Sequence, residues 1–226
     1  MTAVFVTATG TDIGKTFVTA GLVRSLRARG RSVNALKPVA SGFDRRHAAE
    51  SDPGLLIAAL GRDIDDDALD RASRWRFAAA LSPDMAARRE GRGVDFAALL
   101  DFCRKTAQPE MDALLIEGVG GIMAPLDERH TVLDWMAALG LPLLVVAGSY
   151  LGTISHTLSA VEVLRWRGLN VLALIINETP GSTVDLRETV ETISRFAHGI
   201  EIVALRRWAN ASPPPELDRL AARLWP

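Results

Sequence analysis

Short apolar runs alternate with longer amphipathic stretches along the chain. The short runs are apolar on both faces, as in strands of a sheet that helices cover on both sides; they span residues 3–8, 32–39, 112–118, 142–148, 170–177 and 200–205. The amphipathic spacing predicts helices at 15–29, 53–61, 95–107, 131–139, 155–168, 183–198 and 215–225. This alternation predicts an α/β fold: a doubly wound, mostly parallel sheet with helices on both faces.

The length and composition favour a single globular domain over residues 1–226. A chain of 226 residues, 48% of them hydrophobic, can bury roughly 70% of its unfolded surface in one domain. Residues 43–93 are the least regular, and we expect loops of the active site there. The five aspartates of 63–70 lack the glycine and terminal glutamate of an EF-hand, so we expect a solvated loop or a helix start instead of a metal site.

The charge and the cysteine content indicate which partners and which compartment to expect. With 26 basic and 27 acidic residues interspersed along the chain, we expect neither nucleic acid nor a membrane as a partner. Cys103 is the single cysteine, which excludes a disulfide framework and is consistent with the reducing cytoplasm. The longest apolar stretch, 139–148, is about half the length that spans a bilayer. We therefore expect a cytoplasmic protein that acts on small molecules.

The most specific motif, TGTDIGKT at residues 9–16, follows the first predicted strand. In a phosphate-binding loop, glycines let backbone N–H groups surround phosphate oxygens, and the following helix adds partial positive charge. Lys15 would then reach the terminal phosphates and Thr16 would offer its hydroxyl to Mg²⁺. The alternative is a glycine turn with an exposed lysine, but the position between a strand and a helix favours nucleotide binding.

Three further strand ends carry polar residues, and ligands of such sheets bind at the carboxyl ends of the strands. Lys37 is either a solvated charge or a second cation beside the phosphates. Glu117 precedes a glycine-rich turn and is an expected Mg²⁺ partner, with a helix cap or surface acid as the alternative. Asn177 either caps or turns the chain or contacts the edge of a base.

The order and spacing of several motifs resemble the dethiobiotin synthetase family over about residues 4–205. The matching stretches are TGTDIGKT, KPVASG, SD at 51–52, SP at 82–83, IEGVGG, LDW at 133–135, LGTISHTL and IINETP. The resemblance implies a P-loop NTPase fold and a ligase of biotin biosynthesis. With ATP and Mg²⁺, such an enzyme carboxylates 7,8-diaminopelargonate and closes its ureido ring through a carbamate and a carbamic-phosphoric anhydride.

The resemblance also implies a role for each matching residue. The catalytic residues would be Lys15, Lys37 and Thr11, and the Mg²⁺ ligands Thr16, Asp52 and Glu117. The nucleotide would lie against Gly10, Asp12, Ile13, Gly14, Lys15, Thr16, Phe17, Glu117, Gly118 and Asn177. The diamine and CO₂ or bicarbonate would contact Thr11, Lys37, Ser41, Gly120, Leu151, Gly152 and Ser155. The family forms homodimers, in which residues 150–156 of one subunit hold the substrate carboxylate of the other.

Some positions depart from the family pattern. The family's loop opens with glycine at the position of Ala8, where alanine would be strained at positive φ but tolerated in an extended backbone. Asp12, Asp84 and Ser155 stand where glutamate or glycine, histidine and asparagine, respectively, are common. Residues 204–209 lack the family's proline, which changes the contacts expected on the adenine side.

Two other function classes share this type of loop. A partition- or division-type ATPase carries a signature lysine four residues before Gly14, but Gly10 stands there. Another carboxylate-activating synthetase, of the amidotransferase type, needs a nucleophilic cysteine, and Cys103 lies in a predicted helix with no partner histidine. His156 is expected to be a helix cap or interface residue, not a base.

Overall fold

A parallel sheet of six strands forms the centre of the protein. The computed structural model describes residues 2–107, 110–210 and 212–226. The strands are β1 (Thr2–Ala8), β2 (Val33–Leu36), β3 (Val39–Ser41), β4 (Trp75–Phe77), β5 (Ala113–Glu117), β6 (Leu143–Gly148), β7 (Val171–Asn177) and β8 (Glu201–Leu205). The central sheet has the order β2-β5-β1-β6-β7-β8, and all its neighbouring strands run parallel. The predicted fold class is thereby confirmed.

Helices flank the sheet and connect its strands. They are α1 (Lys15–Ala28), α2 (Asp52–Ala59), α3 (Asp66–Ala72), α4 (Pro83–Arg89), α5 (Phe96–Thr106), α6 (Val132–Leu139), α7 (Thr153–Trp166), α8 (Leu186–Ser194) and α9 (Pro215–Leu224), with a 3-10 helix at Arg45–Glu50. Each predicted helix is present. α8 is shorter than the predicted 183–198: it begins after Asp185, whose side chain accepts a hydrogen bond from the N–H of Glu188, and it ends at Ser194. Within the described part of the chain, no helix is both long and apolar enough to cross a membrane.

Apolar residues fill both faces of the sheet. In β1, Phe5 packs on one face and Val4 and Val6 on the other, and all three are fully buried. Phe5 meets Trp135 of α6 edge to face, with ring centroids 4.8 Å apart. The continuous apolar runs of the sequence therefore reflect a sheet that is covered on both sides.

The predicted strand 32–39 is wrong in one respect, because it is two strands in different sheets. β2 ends at Leu36, and β3 pairs with β4 in a separate two-stranded parallel sheet. Pro38 has no N–H and disfavours the continuation of a ladder. The N–H of Lys37 instead donates to Ala72 O, and Pro38 O accepts from the N–H of Trp75. The chain leaves the main sheet at Lys37, which places that side chain at the edge where the other strands end.

Candidate active site

The phosphate loop connects β1 to α1 at the carboxyl edge of the sheet. Gly14, which precedes the helix, has φ 98°, and Asp12 has φ 56°, the one positive φ among the non-glycine residues that the structure describes. The backbone of the loop therefore turns twice in the left-handed region before α1 begins. This geometry leaves the first N–H groups of a 14-residue helix directed at the end of the sheet, where an anion binds favourably.

Ala8 has the extended backbone of a β-strand, a conformation that alanine tolerates. It is the last residue of β1, pairs with Val146 of β6 and is fully buried. Its φ is not positive, so the departure from glycine introduces no backbone strain at the start of the loop.

Lys15, the first residue of α1, folds back over the loop. Its Nζ donates to Gly10 O at 3.0 Å and to Gly120 O at 2.9 Å. The side chain thereby ties the phosphate loop to the glycine-rich turn after β5. Burial and the nearby charge of Lys37 lower the pKa of Lys15 to about 8, against the opposite effect of Glu117, Asp52 and Asp12.

Lys37 lies between two carboxylates. Its Nζ is 2.6 Å from Glu117 Oε1 and 2.8 Å from Asp52 Oδ2, and it also donates to Gly118 O at 2.9 Å. The side chain is 2% exposed. Burial by itself would lower the pKa of Lys37, but Glu117 and Asp52 outweigh burial and raise it. Lys37 is therefore a permanent buried cation, unlike Lys15.

Thr16 joins the same two carboxylates. Its hydroxyl lies 2.7 Å from both Asp52 Oδ1 and Glu117 Oε1, and it can donate to one of them at a time. Burial would raise the pKa of Asp52, but the ion pair with Lys37 and the hydrogen bonds from Lys37 and Thr16 lower it. Three oxygen-bearing side chains from α1, α2 and β5 thus converge on one point.

These oxygens suit a magnesium ion. Glu117 is fully buried, and its Oε2 has no hydrogen-bond partner among the residues that the structure describes. An ionised oxygen buried in this way needs a cation or donor beside it. No group of three or more His, Cys, Asp or Glu side chains able to hold a metal occurs in the described ranges. Mg²⁺ instead takes one or two carboxylates, together with water and phosphate oxygens.

A cavity of about 470 Å³ opens beside this cluster. Its lining combines residues of the phosphate loop, the lysines and the glycine-rich turn: Thr11, Asp12, Gly14, Lys15, Thr16, Lys37, Ser41, Asp52, Ala80, Val119 and Gly120. Ser41 Oγ is buried and has no hydrogen-bond partner within the described residues, although a buried hydroxyl ordinarily has a polar partner.

Two residues of the lining, Ala80 and Val119, are missed by sequence reasoning. Val119 lies inside the glycine-rich turn after Glu117, and that position was its only signal. Ala80 follows β4, and its Cβ lies against Gly42. The hydrogen bond from Gly42 N–H to Ala79 O holds this segment beside β3. No local sequence pattern predicts that the segment after β4 lies beside β3.

Other residues that the sequence predicts for the site lie outside the cavity lining. Ile13 and Phe17 pack against the core that includes Val4 and Val18, while Gly118 lies against the ring of Phe5. Asn177 contacts the phosphate loop, where its Nδ2 donates to Ile13 O at 3.1 Å. In the crowded turn, Gly121 approaches Thr9 O so closely that a Cβ would lie 3.2 Å away.

The loop before α7 is also outside the cavity lining. Gly152 caps α7 with φ 98°, Ser155 is exposed, and Leu151 is 92% exposed. Near the same helix end, the Tyr150 hydroxyl lies 3.0 Å from His156 Nδ1. These residues present a surface at the carboxyl end of β6 and do not enter the cavity of the same chain.

Asp84 belongs to a different part of the surface. It accepts a hydrogen bond from Ser82 Oγ at 2.5 Å and pairs with Arg88 at 3.3 Å. It lines a second cavity of about 390 Å³ together with Arg88, Arg92 and His130. The departure at position 84 therefore does not alter the lining of the cavity that contains the lysines.

Known proteins resemble this chain over nearly its whole length. The family profile described as an AAA domain matches residues 2–207. The ATP-dependent dethiobiotin synthetase BioD of Acidiphilium cryptum (strain JF-5) is 46% identical over 216 residues, covering 95% of this chain and 92% of that protein. The protein of the same name from Methylobacterium nodulans is 45% identical, covering 98% of this chain and 100% of that protein. The chain belongs to the dethiobiotin synthetase family.

Membership of the dethiobiotin synthetase family confirms the resemblance and the predicted class of enzyme, a ligase that depends on ATP. Solved structures show the same fold in more distant proteins. A ParA family ATPase from Chlorobium tepidum TLS superposes with a TM-score of 0.54 at 14% identity, over 98% of this chain and 96% of that chain. The MinD cell division protein of Aquifex aeolicus gives 0.52 at 14% identity, over 100% and 88%. At this identity the likeness shows the P-loop NTPase fold alone.

Proposed function

We propose that this protein carboxylates 7,8-diaminopelargonate with CO₂ and closes the ureido ring of dethiobiotin, using ATP and Mg²⁺, in the cytoplasmic pathway of biotin biosynthesis. The observation that carries the proposal is the convergence of Lys15, Lys37, Thr16, Asp52 and Glu117 beside one cavity. The relatives' names supply the substrate class, and this cluster supplies groups that suit the chemistry.

Negative charge develops on oxygen atoms of the reacting groups in each step of the reaction. One amine of the diamine attacks CO₂ and loses a proton, which gives a carbamate. A carbamate oxygen takes the γ-phosphoryl group of ATP, and ADP leaves. The second amine then attacks the carbonyl carbon, loses a proton and expels phosphate as the ring closes. Anionic oxygens must approach each other in the phosphoryl transfer, so positioned cations supply most of the stabilisation.

The two lysines suit different parts of that task. Lys15 belongs to the phosphate loop and is proposed to neutralise the β- and γ-phosphates. Lys37 follows β2 and lines the same cavity, and we assign it to the transferred phosphoryl group and the carbamate. Its two carboxylate partners and Gly118 O hold the ammonium in place, so little reorganisation is needed when charge develops.

Thr16, Asp52 and Glu117 are proposed to hold Mg²⁺. The ion would neutralise phosphate charge and orient the β- and γ-phosphates. Thr11, Ser41 and Gly120 are proposed to bind the carbamate or diamine, since they line the same cavity and the hydroxyl of Ser41 is unpaired within the described residues. Ala80 and Val119 would contact the aliphatic part of the substrate.

A second subunit is proposed to complete the substrate site. Leu151, Gly152 and Ser155 are exposed at a helix end and do not line the cavity of their own chain. In a homodimer, this loop would reach the carboxylate of the diamine bound by the partner. The exposure of Leu151, 92%, is consistent with an apolar side chain that becomes covered on assembly.

The test is phosphate release that depends on the diamine. Purified protein with ATP, Mg²⁺ and bicarbonate should release phosphate only when 7,8-diaminopelargonate is added. Ser41→Ala should raise the KM of the diamine, while the exposed Ser159→Ala on α7 should not. Phosphate release that is independent of the diamine would contradict the proposal.

A further inference from the structure

Asn177 makes a contact with the phosphate loop that a base-reading role does not require. It is the last residue of β7, and its Nδ2 donates to Ile13 O at 3.1 Å. A methyl group at Gly14 would overlap the same amide nitrogen. The asparagine side chain therefore lies directly against the peptide that joins Ile13 to Gly14.

The orientation of that peptide matters for phosphate binding. In a planar trans peptide, the carbonyl of Ile13 and the N–H of Gly14 point in opposite directions. A side chain that holds the carbonyl on one side fixes the N–H on the other side, and Gly14 lines the cavity. Asp12 and Gly14 both have positive φ, 56° and 98°. Glycine adopts this conformation readily, whereas at Asp12 it persists only where the surroundings determine it.

The support for Asn177 is itself rigid. In the sheet, Asn177 pairs with Gly148 of β6 on one side and Leu205 of β8 on the other. The following N–H, of Glu178, donates to Leu205 O at 2.8 Å. A side chain on such a strand end holds its partner more firmly than one on a loop.

We propose that Asn177 is a positioning residue that holds the phosphate loop in its nucleotide-binding shape, whichever base the nucleotide carries. The inference rests on the nucleotide-binding part of the proposed function. The hydrogen bond to Ile13 O uses one of the four hydrogen-bonding positions of the amide, so the positioning role can coexist with a base contact.

The first test needs no ligand. Hydrogen exchange of residues 9–17 is measured in the free protein for the wild type, Asn177→Ala and Asn170→Ala. Asn170 is exposed and immediately precedes β7, at the end of the strand opposite to Asn177, so it is a matched control. Loss of one hydrogen bond should speed exchange in the loop about three- to tenfold in Asn177→Ala and leave it unchanged in Asn170→Ala. Unchanged exchange in Asn177→Ala overturns the inference.

The second test distinguishes an effect of Asn177 on the phosphate loop from a contact of Asn177 with the base. Binding of ATP, GTP and inorganic tripolyphosphate is measured by calorimetry with Mg²⁺. Asn177→Ala should raise the Kd of every ligand that the wild type binds by the same factor, about three- to tenfold. A loss confined to ATP would assign Asn177 to the base alone and overturn the inference. If Asn177→Ala does not fold, Asn177→Ser undergoes both measurements.

Failure of the two proposals can be told apart. If the wild type binds ATP but makes no product from the diamine, the carboxylation proposal fails, while the exchange result still decides the role of Asn177. If the wild type is active and loop exchange is unchanged in Asn177→Ala, the positioning role fails by itself.

Discussion

The lowered pKa of Lys15 predicts that nucleotide binding takes up a proton at alkaline pH. Burial and Lys37 bring this pKa from its ordinary value of 10.5 to about 8. The difference corresponds to roughly 3 kcal/mol against the charged form. A triphosphate next to Lys15 favours the charged form and raises the pKa again.

The sign and size of the effect follow directly. Well below pH 8, Lys15 is already almost fully protonated in the free protein, and binding changes little at this group. At pH 8 about half of the free protein carries the proton, so binding takes up about 0.5 proton per site, and more at pH 9. Affinity should therefore fall as pH rises above 8, by up to about tenfold per pH unit. Lys37, with its raised pKa, stays charged and does not contribute.

The assay is calorimetry with a non-hydrolysable ATP analogue, at pH 7, 8 and 9, in buffers of different ionisation enthalpy. Lys15→Arg keeps the positive charge at every pH. Any nucleotide binding that this variant retains should therefore take up no proton. Lys105→Arg is the control, because Lys105 is 77% exposed in a helix pair with Asp101. If nucleotide binding takes up no proton at pH 8–9, or if proton uptake persists in Lys15→Arg, the role assigned to Lys15 is refuted.

Three further predictions concern Lys37, Ala8 and the α7 loop. Lys37→Met should lower kcat by about 100-fold or more and change the Kd of ATP only a few-fold; equal losses in rapid-quench and binding experiments would argue against a role at the transferred group. Ala8→Gly should lower the free energy of unfolding by about 1 kcal/mol with ATP affinity unchanged, and tighter ATP binding would mean that the alanine strains the loop. Leu151→Asp should convert a dimer into monomers in sedimentation velocity and raise the KM of the diamine, whereas a fully active monomeric wild type would exclude a shared site.

The sequence predicted the strand ends well because parallel strands bring their carboxyl ends to one edge. Glu117 and Asn177 are the last residues of strands that were correctly placed, and Lys15 follows β1 across the phosphate loop. The alternation of strands and helices determines where those strands end. Asp52 was reached only through the family resemblance, since nothing local connects the start of α2 with β5. The contact of Asp52 with Lys37 and Thr16 is a product of tertiary packing.

Other features depend on long-range contacts that the sequence pattern does not encode. Pro38 divides an apolar run that looks continuous, and β4 is too short, at three residues, to stand out. Ala80 reaches the cavity only because β3 and β4 pair. The pKa of Lys15 is lowered mainly by burial, and its ammonium contacts only carbonyl oxygens. The pKa of Lys37 is raised because its ammonium contacts two carboxylates. The partner contacts of residues 150–156 belong to a second chain and stay predictions.

The most direct test of the central claim is the fate of labelled bicarbonate. Purified protein is incubated with ¹³C-bicarbonate, ATP, Mg²⁺ and 7,8-diaminopelargonate, and the product is analysed by mass spectrometry and ¹³C NMR. We expect dethiobiotin with the label in the ureido carbonyl and one ADP and one phosphate formed per labelled product. ATP hydrolysis without labelled dethiobiotin, or a label in any other position, would contradict the account.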